Sequence, residues 1–272
     1  MKPESISYIT PNYVARQIGW NMTEGWMQGD RATREFFAPE ETYPDRIGAL
    51  LAGIAALGFS RVDLWTAHAG PEWMSDAHLA ALKEALSRNG LTCVSFGGGL
   101  GGSAEELARL CRVVRATGAD LLVGGMPFFD KSPEEAQAVL RENGCRWGFE
   151  NHPNEKTAED VLRVIDRGDP ALVGAAVDTG WFGTNGTSAS EALRTLRNRL
   201  MHVHLKDVRH AGAHTTCALG DGVVDVRDCV EVLVTTGYEG PACIEHEPED
   251  RDPDPEIVES RERLAGWLEE RS

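Results

Sequence analysis

At 272 residues with 42% hydrophobic and 26% charged side chains, the chain has the composition of one large soluble globular domain. No apolar run approaches the ~20 residues needed to span a bilayer, which excludes a helical membrane anchor. The formal net charge of −16 repels phosphate backbones and argues against nucleic acid as a partner.

The six cysteines stand singly, several inside apolar runs, with no Cys-x-x-Cys pair. Neither a disulfide framework nor a thiolate metal site is expected. Met1 to Ser5 runs into a strand-like segment without the apolar core and cleavage site of a signal peptide, so a cytoplasmic protein is expected.

In chain order, Ile6 to Thr10 alternates and is rich in β-formers, giving a first strand that Pro11 stops. Asn12 to Glu41 shows no clean helical or strand period, yet contains Trp20, Trp26, Phe36 and Phe37. A long irregular connection of this kind is expected to form a lid or an interface. Asp45 to Leu57 has apolar residues at helical spacing and ends at Gly58.

A strand–helix unit then repeats. Strands are predicted at Arg61 to Trp65, Leu91 to Phe96 and Leu121 to Gly125, then at Arg146 to Glu150, Leu172 to Asp178, Met201 to Leu205 and Ala242 to Glu247. Helices fall between them. Capping boxes are expected at Ser103 and at Ser132, the latter with Pro133 in the first helical position, and Thr157 is expected to cap the next helix. Eight strands alternating with helices predict a single α/β (β/α)₈ TIM barrel over residues 1–272, with 12–41 as a lid or interface insertion. A doubly wound open sheet fits less well, because no glycine fingerprint follows the first strand.

Active sites in such barrels gather at the C-terminal ends of the strands. The fifth strand ends on Glu150 and His152, which alternation places on one side, and Pro153 ends the ladder. The sixth ends on Asp178, the seventh carries His202 and His204, and the eighth carries Glu245 and Glu247. Three carboxylates and an imidazole meeting in a dry mouth would raise one another's pKa steeply, and a divalent cation resolves that conflict. Oxygen-rich ligation with one histidine suits Mn²⁺ or Mg²⁺, with Co²⁺ and Zn²⁺ as alternatives.

The segments Gly148 to Pro153, Val177 to Trp181, His202 to Asp207, Gly220 to Asp225 and Ile244 to Glu247 resemble the xylose isomerase-like barrel superfamily, in its branch of sugar phosphate isomerases and epimerases. The resemblance implies one metal ion held by Glu150, Asp178, His204 and Glu245, with His204 favoured over His202 because it directly precedes Leu205-Lys206-Asp207. It also implies that Glu150 and Glu245 act as paired acid and base, through an enediolate next to a carbonyl. His152 is a candidate second base or substrate-orienting group. Trp65, His68, Trp181 and Lys206 are candidate substrate-binding residues.

Trp181 stands where many members of the superfamily carry a histidine; in the related apurinic endonucleases that histidine helps hold additional zinc ions, so the resemblance argues against a DNA-repair nuclease. It offers a face for a sugar ring or an aromatic aglycone. The leading expectation is a metal-dependent sugar isomerase or epimerase. The alternatives are a lyase on 3-oxo-glycosides, like the barrel subunits of C-glycoside deglycosidases, an inosose-type dehydratase, or a silent sugar-binding barrel. Expected partners are a small sugar or glycoside and either further copies of the chain or a smaller partner subunit.

Overall fold

The computed structural model describes residues 2–270. Eight parallel strands close into a barrel: Ile6–Ile9, Arg61–Trp65, Thr92–Gly97, Leu121–Val123, Arg146–Glu150, Val173–Asp178, Leu200–Leu205 and Ala242–Ile244. Each pairs with its sequence neighbour, and Ile6 opposite Ala242 closes the ring. The main core lies between strands and outer helices, where Leu51, Leu82, Leu110, Leu140, Val161, Leu193 and Leu233 are fully or nearly fully buried. Among the described residues no helix is long and apolar enough to cross a membrane.

The irregular connection expected at 12–41 is corrected: it holds short 3₁₀ turns and a twelve-residue helix, Trp26–Phe37. The buried face of that helix is made of Gly29, Asp30, Thr33 and Phe37, so it carries almost no hydrophobic period to read. A Cβ on Gly29 would lie 2.1 Å from the Val14 carbonyl oxygen, and this close approach explains the glycine. Arg34 ties the helix to the barrel mouth: its Nε is 2.7 Å from Asp30, while its guanidinium reaches Glu72 and Thr66.

The capping box expected at Ser132 is also corrected, because that side chain caps nothing. A short unforeseen helix, Pro127–Lys131, runs directly into it, and Ser132 N–H donates to Phe128 O at 2.9 Å. At Thr157 the box forms in both directions. Ser103 accepts from Glu106 N–H, but the Glu106 carboxylate takes Gly102 N–H instead of returning to the cap.

The eighth strand ends at Ile244, earlier than the predicted Glu247. Parallel strands splay at the mouth, and there side chains replace the ladder. Asn12 donates to Ile244 O at 3.1 Å and accepts from His246 N–H at 2.9 Å, joining the first strand's exit to the last. Thr10 accepts from Trp65 N–H at 2.8 Å. Thr179 donates to Lys206 O at 2.7 Å and accepts from Lys206 N–H at 2.9 Å.

Asn151 does the same between strands five and six. Its amide donates to Asp178 O and accepts from Asp178 N–H, both at 2.9 Å, and the residue is fully buried. Asn151→Ala would leave both backbone groups without partners in a dry mouth. The expected loss is on the order of 2 kcal/mol, read as a lower urea midpoint with unchanged m-value.

Candidate metal centre

Glu150 and Asp178 are the last residues of strands five and six, His204 sits near the end of strand seven, and Glu245 follows strand eight directly. One ligand atom from each of these four lies within 4.8 Å of all the others. All four residues are buried, the most accessible being Glu150 at 8%.

His204 Nδ1 is 3.0 Å from Glu150 Oε1 and 2.6 Å from Glu245 Oε2. Even so, His204 Nδ1, Glu245 Oε2 and Asp178 Oδ2 are buried without a directed hydrogen bond. Buried polar atoms almost always find a partner, so converging polar atoms without one fit a site for a cation. The donor set, three carboxylates and one imidazole, suits a hard divalent ion. Asp178 is oriented for this by its own backbone: its Oδ1 accepts from Gly180 N–H at 2.7 Å and Trp181 N–H at 3.1 Å, capping a short helix, Thr179–Thr184, and leaving Oδ2 for the site.

Lys206 supplies positive charge here. Its Nζ lies 2.9 Å from Glu247 Oε2, 3.1 Å from Glu245 Oε1 and 3.5 Å from Asp178 Oδ2, with the side chain only 2% exposed. Gly180 makes room, because a Cβ there would lie 2.7 Å from the lysine stem. Burial would lower the Lys206 ammonium, but Glu245, Glu247 and Asp178 hold it well above its usual range. Burial would likewise raise Glu245, yet Lys206 and then His204 hold it well below. His204, buried between Glu150 and Glu245, is held well above an ordinary histidine by those carboxylates. Asp178 goes the other way: burial pushes it up to about 7 despite Lys206.

A divalent ion requires the free imidazole lone pair of His204 and the ionised carboxylate of Asp178, so binding must expel the protons that both retain near neutrality. Because the folded metal-free site holds these protons, affinity for Mn²⁺ is expected to rise with pH between about 6 and 8. Titration calorimetry in buffers of different ionisation enthalpy should register proton release, and a pH-independent affinity with no release contradicts the arrangement.

His152 stands beside the quartet and not in it. Its Nδ1 is 3.1 Å from Glu150 O, its Nε2 is 4.0 Å from Glu150 Oε2, and its side chain is 46% exposed. Burial would lower its pKa, but Glu150 raises it above the usual value. Trp65 and His68 lie farther back: Trp65 is buried and packs on Trp26 at 4.8 Å between ring centroids, and His68 is buried between Phe37 and Trp65. The Trp181 ring has Lys206 Nζ 6.0 Å from its centroid and is covered by a stacked imidazole, His214, at 3.4 Å. His202 points into the barrel interior, where its Nε2 pairs with Asp63 at 2.6 Å, both residues fully buried.

Several contributors escaped the sequence reading. Asn151 and Thr179 act through backbone groups that leave no pattern. His214 lies in the loop that joins the two strands of a small ribbon, Asp207–Val208 and Thr216–Cys217, formed after the seventh strand's exit. Glu247 was visible as a strand-eight acid, but its double contact, Lys206 on one oxygen and Trp26 Nε1 at 3.0 Å on the other, depends on the helix Trp26–Phe37. Asp207 explains the Gly220 to Asp225 motif. Its carboxylate accepts from the N–H groups of Val208, Gly220 and Gly222 at 2.9 Å and of Val224 at 3.0 Å. A Cβ at Gly222 would lie 2.3 Å from Asp207 Oδ1, so the loop needs glycine to close on the carboxylate.

Comparison with known proteins agrees with this architecture. Residues 51–270 match the family model described as xylose isomerase-like TIM barrel. Inosose dehydratase from Geobacillus thermodenitrificans is 31% identical over 155 residues, covering 44% of this chain and 51% of that protein. The matched stretch is therefore about half the length of that curated relative. Among solved structures, a xylose isomerase-like TIM barrel protein from Mycobacterium smegmatis in complex with magnesium superposes with a TM-score of 0.73 at 18% identity, covering 98% of each chain. The 3-keto-D-glucoside 4-epimerase from E. coli superposes with a TM-score of 0.63 at 19% identity, covering 81% of this chain and 94% of that one. The chain belongs to the xylose isomerase-like TIM barrel family.

Proposed function

We propose that the chain is a divalent-metal-dependent enzyme that removes a proton next to the carbonyl of a non-phosphorylated keto sugar or ketone-bearing cyclitol, forms an enediolate, and completes an elimination. The observation that carries the reading is the convergence of Glu150, Asp178, His204 and Glu245 within 4.8 Å of one another, with Asp178 Oδ2, His204 Nδ1 and Glu245 Oε2 buried and without a directed hydrogen bond. A divalent ion held by these four residues would supply positive charge to the substrate oxygens.

The chain's own residues do the rest. Glu150 takes the C–H proton as general base, and Glu245, which shares the contact with His204 Nδ1, is the second carboxylate. His152, beside Glu150, gives a proton to the departing oxygen as the adjacent C–O bond breaks, so that water or an alcohol leaves. Lys206 balances the charge of Asp178, Glu245 and Glu247, so its ammonium is already engaged and is not left to bind a phosphate. Elimination is favoured over epimerisation by that adjacent proton donor and by the dehydratase relative. The same proton abstraction with return to the other face would make an epimerase or isomerase, as the name of the E. coli structure suggests.

Incubation of Mn²⁺-loaded protein with inosose, 3-oxo-glycosides and ketoses in heavy water, followed by NMR, tests the reading. A dehydrated ring or a released alcohol is the expected result. A deuterated epimer moves the assignment to epimerase, and the absence of any exchange with metal bound leaves a silent barrel.

A further inference from the structure

Beside the quartet lies a chamber of about 450 Å³, lined by Trp20, His214, Glu247, Glu249, Asp250 and Arg251 among others. Two contacts separate it from the metal centre. Glu247 forms part of its wall and holds Lys206 at 2.9 Å, and Lys206 holds Glu245 at 3.1 Å. A single sugar ring over the quartet would leave this space unfilled.

Two of its walls are built in ways the fold alone does not require. Trp20 has φ 60°, the only positive φ at a non-glycine position among the described residues. A bulky residue in the left-handed region costs energy and persists where the surroundings hold it, typically at ligand sites. Here Trp20 N–H is fixed on Ala15 O at 2.9 Å. His214 is the second. Its ring lies flat on Trp181, its Nδ1 is 2.8 Å from Thr184 Oγ1, and its Nε2 is buried with no partner. A buried imidazole nitrogen without a partner is a polar group left for something absent.

The charge of the chamber narrows the occupant. Glu247, Glu249 and Asp250 face it, and its one arginine is already engaged, with Nη1 2.7 Å from Asp250 and Nη2 2.9 Å from Glu256. Anionic groups are disfavoured, whereas a hydroxyl-bearing ring suits an indole wall with acceptors around it.

We propose that this chamber is a second subsite, taking an uncharged, hydroxyl-bearing ring joined to the reacting sugar, with Trp20 and His214 as its specificity-determining residues. The substrate is then a two-ring glycoside and not a free monosaccharide or cyclitol. The inference rests on the proposed function for the orientation of its substrate, with the reacting sugar at the quartet.

The test measures binding and turnover separately on Mn²⁺-loaded protein, with methyl, 4-hydroxyphenyl and 4-carboxyphenyl 3-oxo-glucosides. Wild type should bind the 4-hydroxyphenyl compound about tenfold tighter than the methyl one, about 1.4 kcal/mol, and should lose that advantage with the 4-carboxyphenyl compound. Trp20→Ala and His214→Ala should each bring the first ratio within about twofold, with Trp20→Phe restoring most of it and circular dichroism confirming the fold. A ratio unchanged in both variants, equal binding of the carboxylate, or no binding of any of the three overturns the subsite. Normal ratios without proton exchange in heavy water overturn the proposed chemistry and leave the subsite standing. Exchange without the ratio does the reverse.

Discussion

Glu150→Gln should lower kcat/KM by about a thousandfold, the middle of the range for loss of a general base. The amide keeps the shape and one oxygen for the metal, so the variant separates proton abstraction from the mere presence of the ion. Glu150 is suited to the task because it ends a strand held on both sides. Its own strand pairs Phe149 with Ala175 and Glu150 with Ala176, while Asn151 immediately after it locks onto Asp178. Burial would raise its pKa, but His204 and then His152 hold it below the ordinary carboxylate value, so it is ionised at neutral pH. Stopped-time NMR at saturating Mn²⁺ checks the prediction. Turnover within tenfold of wild type, with metal content unchanged, removes Glu150 from the chemistry.

The second large effect concerns stability without metal. Lys206→Met removes the ammonium that sits among Asp178, Glu245 and Glu247 and leaves the buried carboxylates facing one another. Breaking a buried charge group in this way typically costs about 3–5 kcal/mol. In EDTA the variant should therefore unfold at clearly lower urea than wild type. Millimolar Mn²⁺ should recover most of the loss, because the ion replaces the missing charge and is bound by folded protein alone. Mn²⁺ affinity should also rise, since Lys206 and the ion draw on the same carboxylates. Equal urea midpoints for variant and wild type in EDTA contradict the electrostatic account.

The barrel was legible because its strands are apolar runs of three to six residues separated by capped helices. Arg61–Trp65 and Arg146–Glu150 have the expected bounds. The quartet's residues were legible for a related reason: each is a polar residue at the end of an apolar strand, and barrel topology gathers such ends. The helix Trp26–Phe37 was not legible, because its buried face is glycine, aspartate and threonine packed against the barrel mouth. The early end of the eighth strand was hidden too, since Asn12, more than 230 residues away in sequence, supplies the bonds that its backbone gives up. What periodicity cannot carry is side chain to backbone bonding across the fold, and Asn12, Asn151, Thr179 and Asp207 all work in that way.

Lys206 shows the same limit in the site. Its neighbours in sequence place it at a strand end, but its three carboxylate contacts come from strand six and from the exit of strand eight. The stacking of His214 on Trp181 needs the ribbon that Asp207 organises through four backbone N–H groups, and the glycines of that loop are the only trace of it in the sequence.

Four residues from consecutive strands are placed to hold one divalent ion. Metal content per chain after loading with Mn²⁺ and exhaustive dialysis, measured for wild type, Asp178→Asn and His204→Gln, tests it most directly. One ion per chain is expected in wild type and loss of most of it in each variant, with the fold retained by circular dichroism. Wild type without bound ion, or full occupancy in both variants, would contradict it.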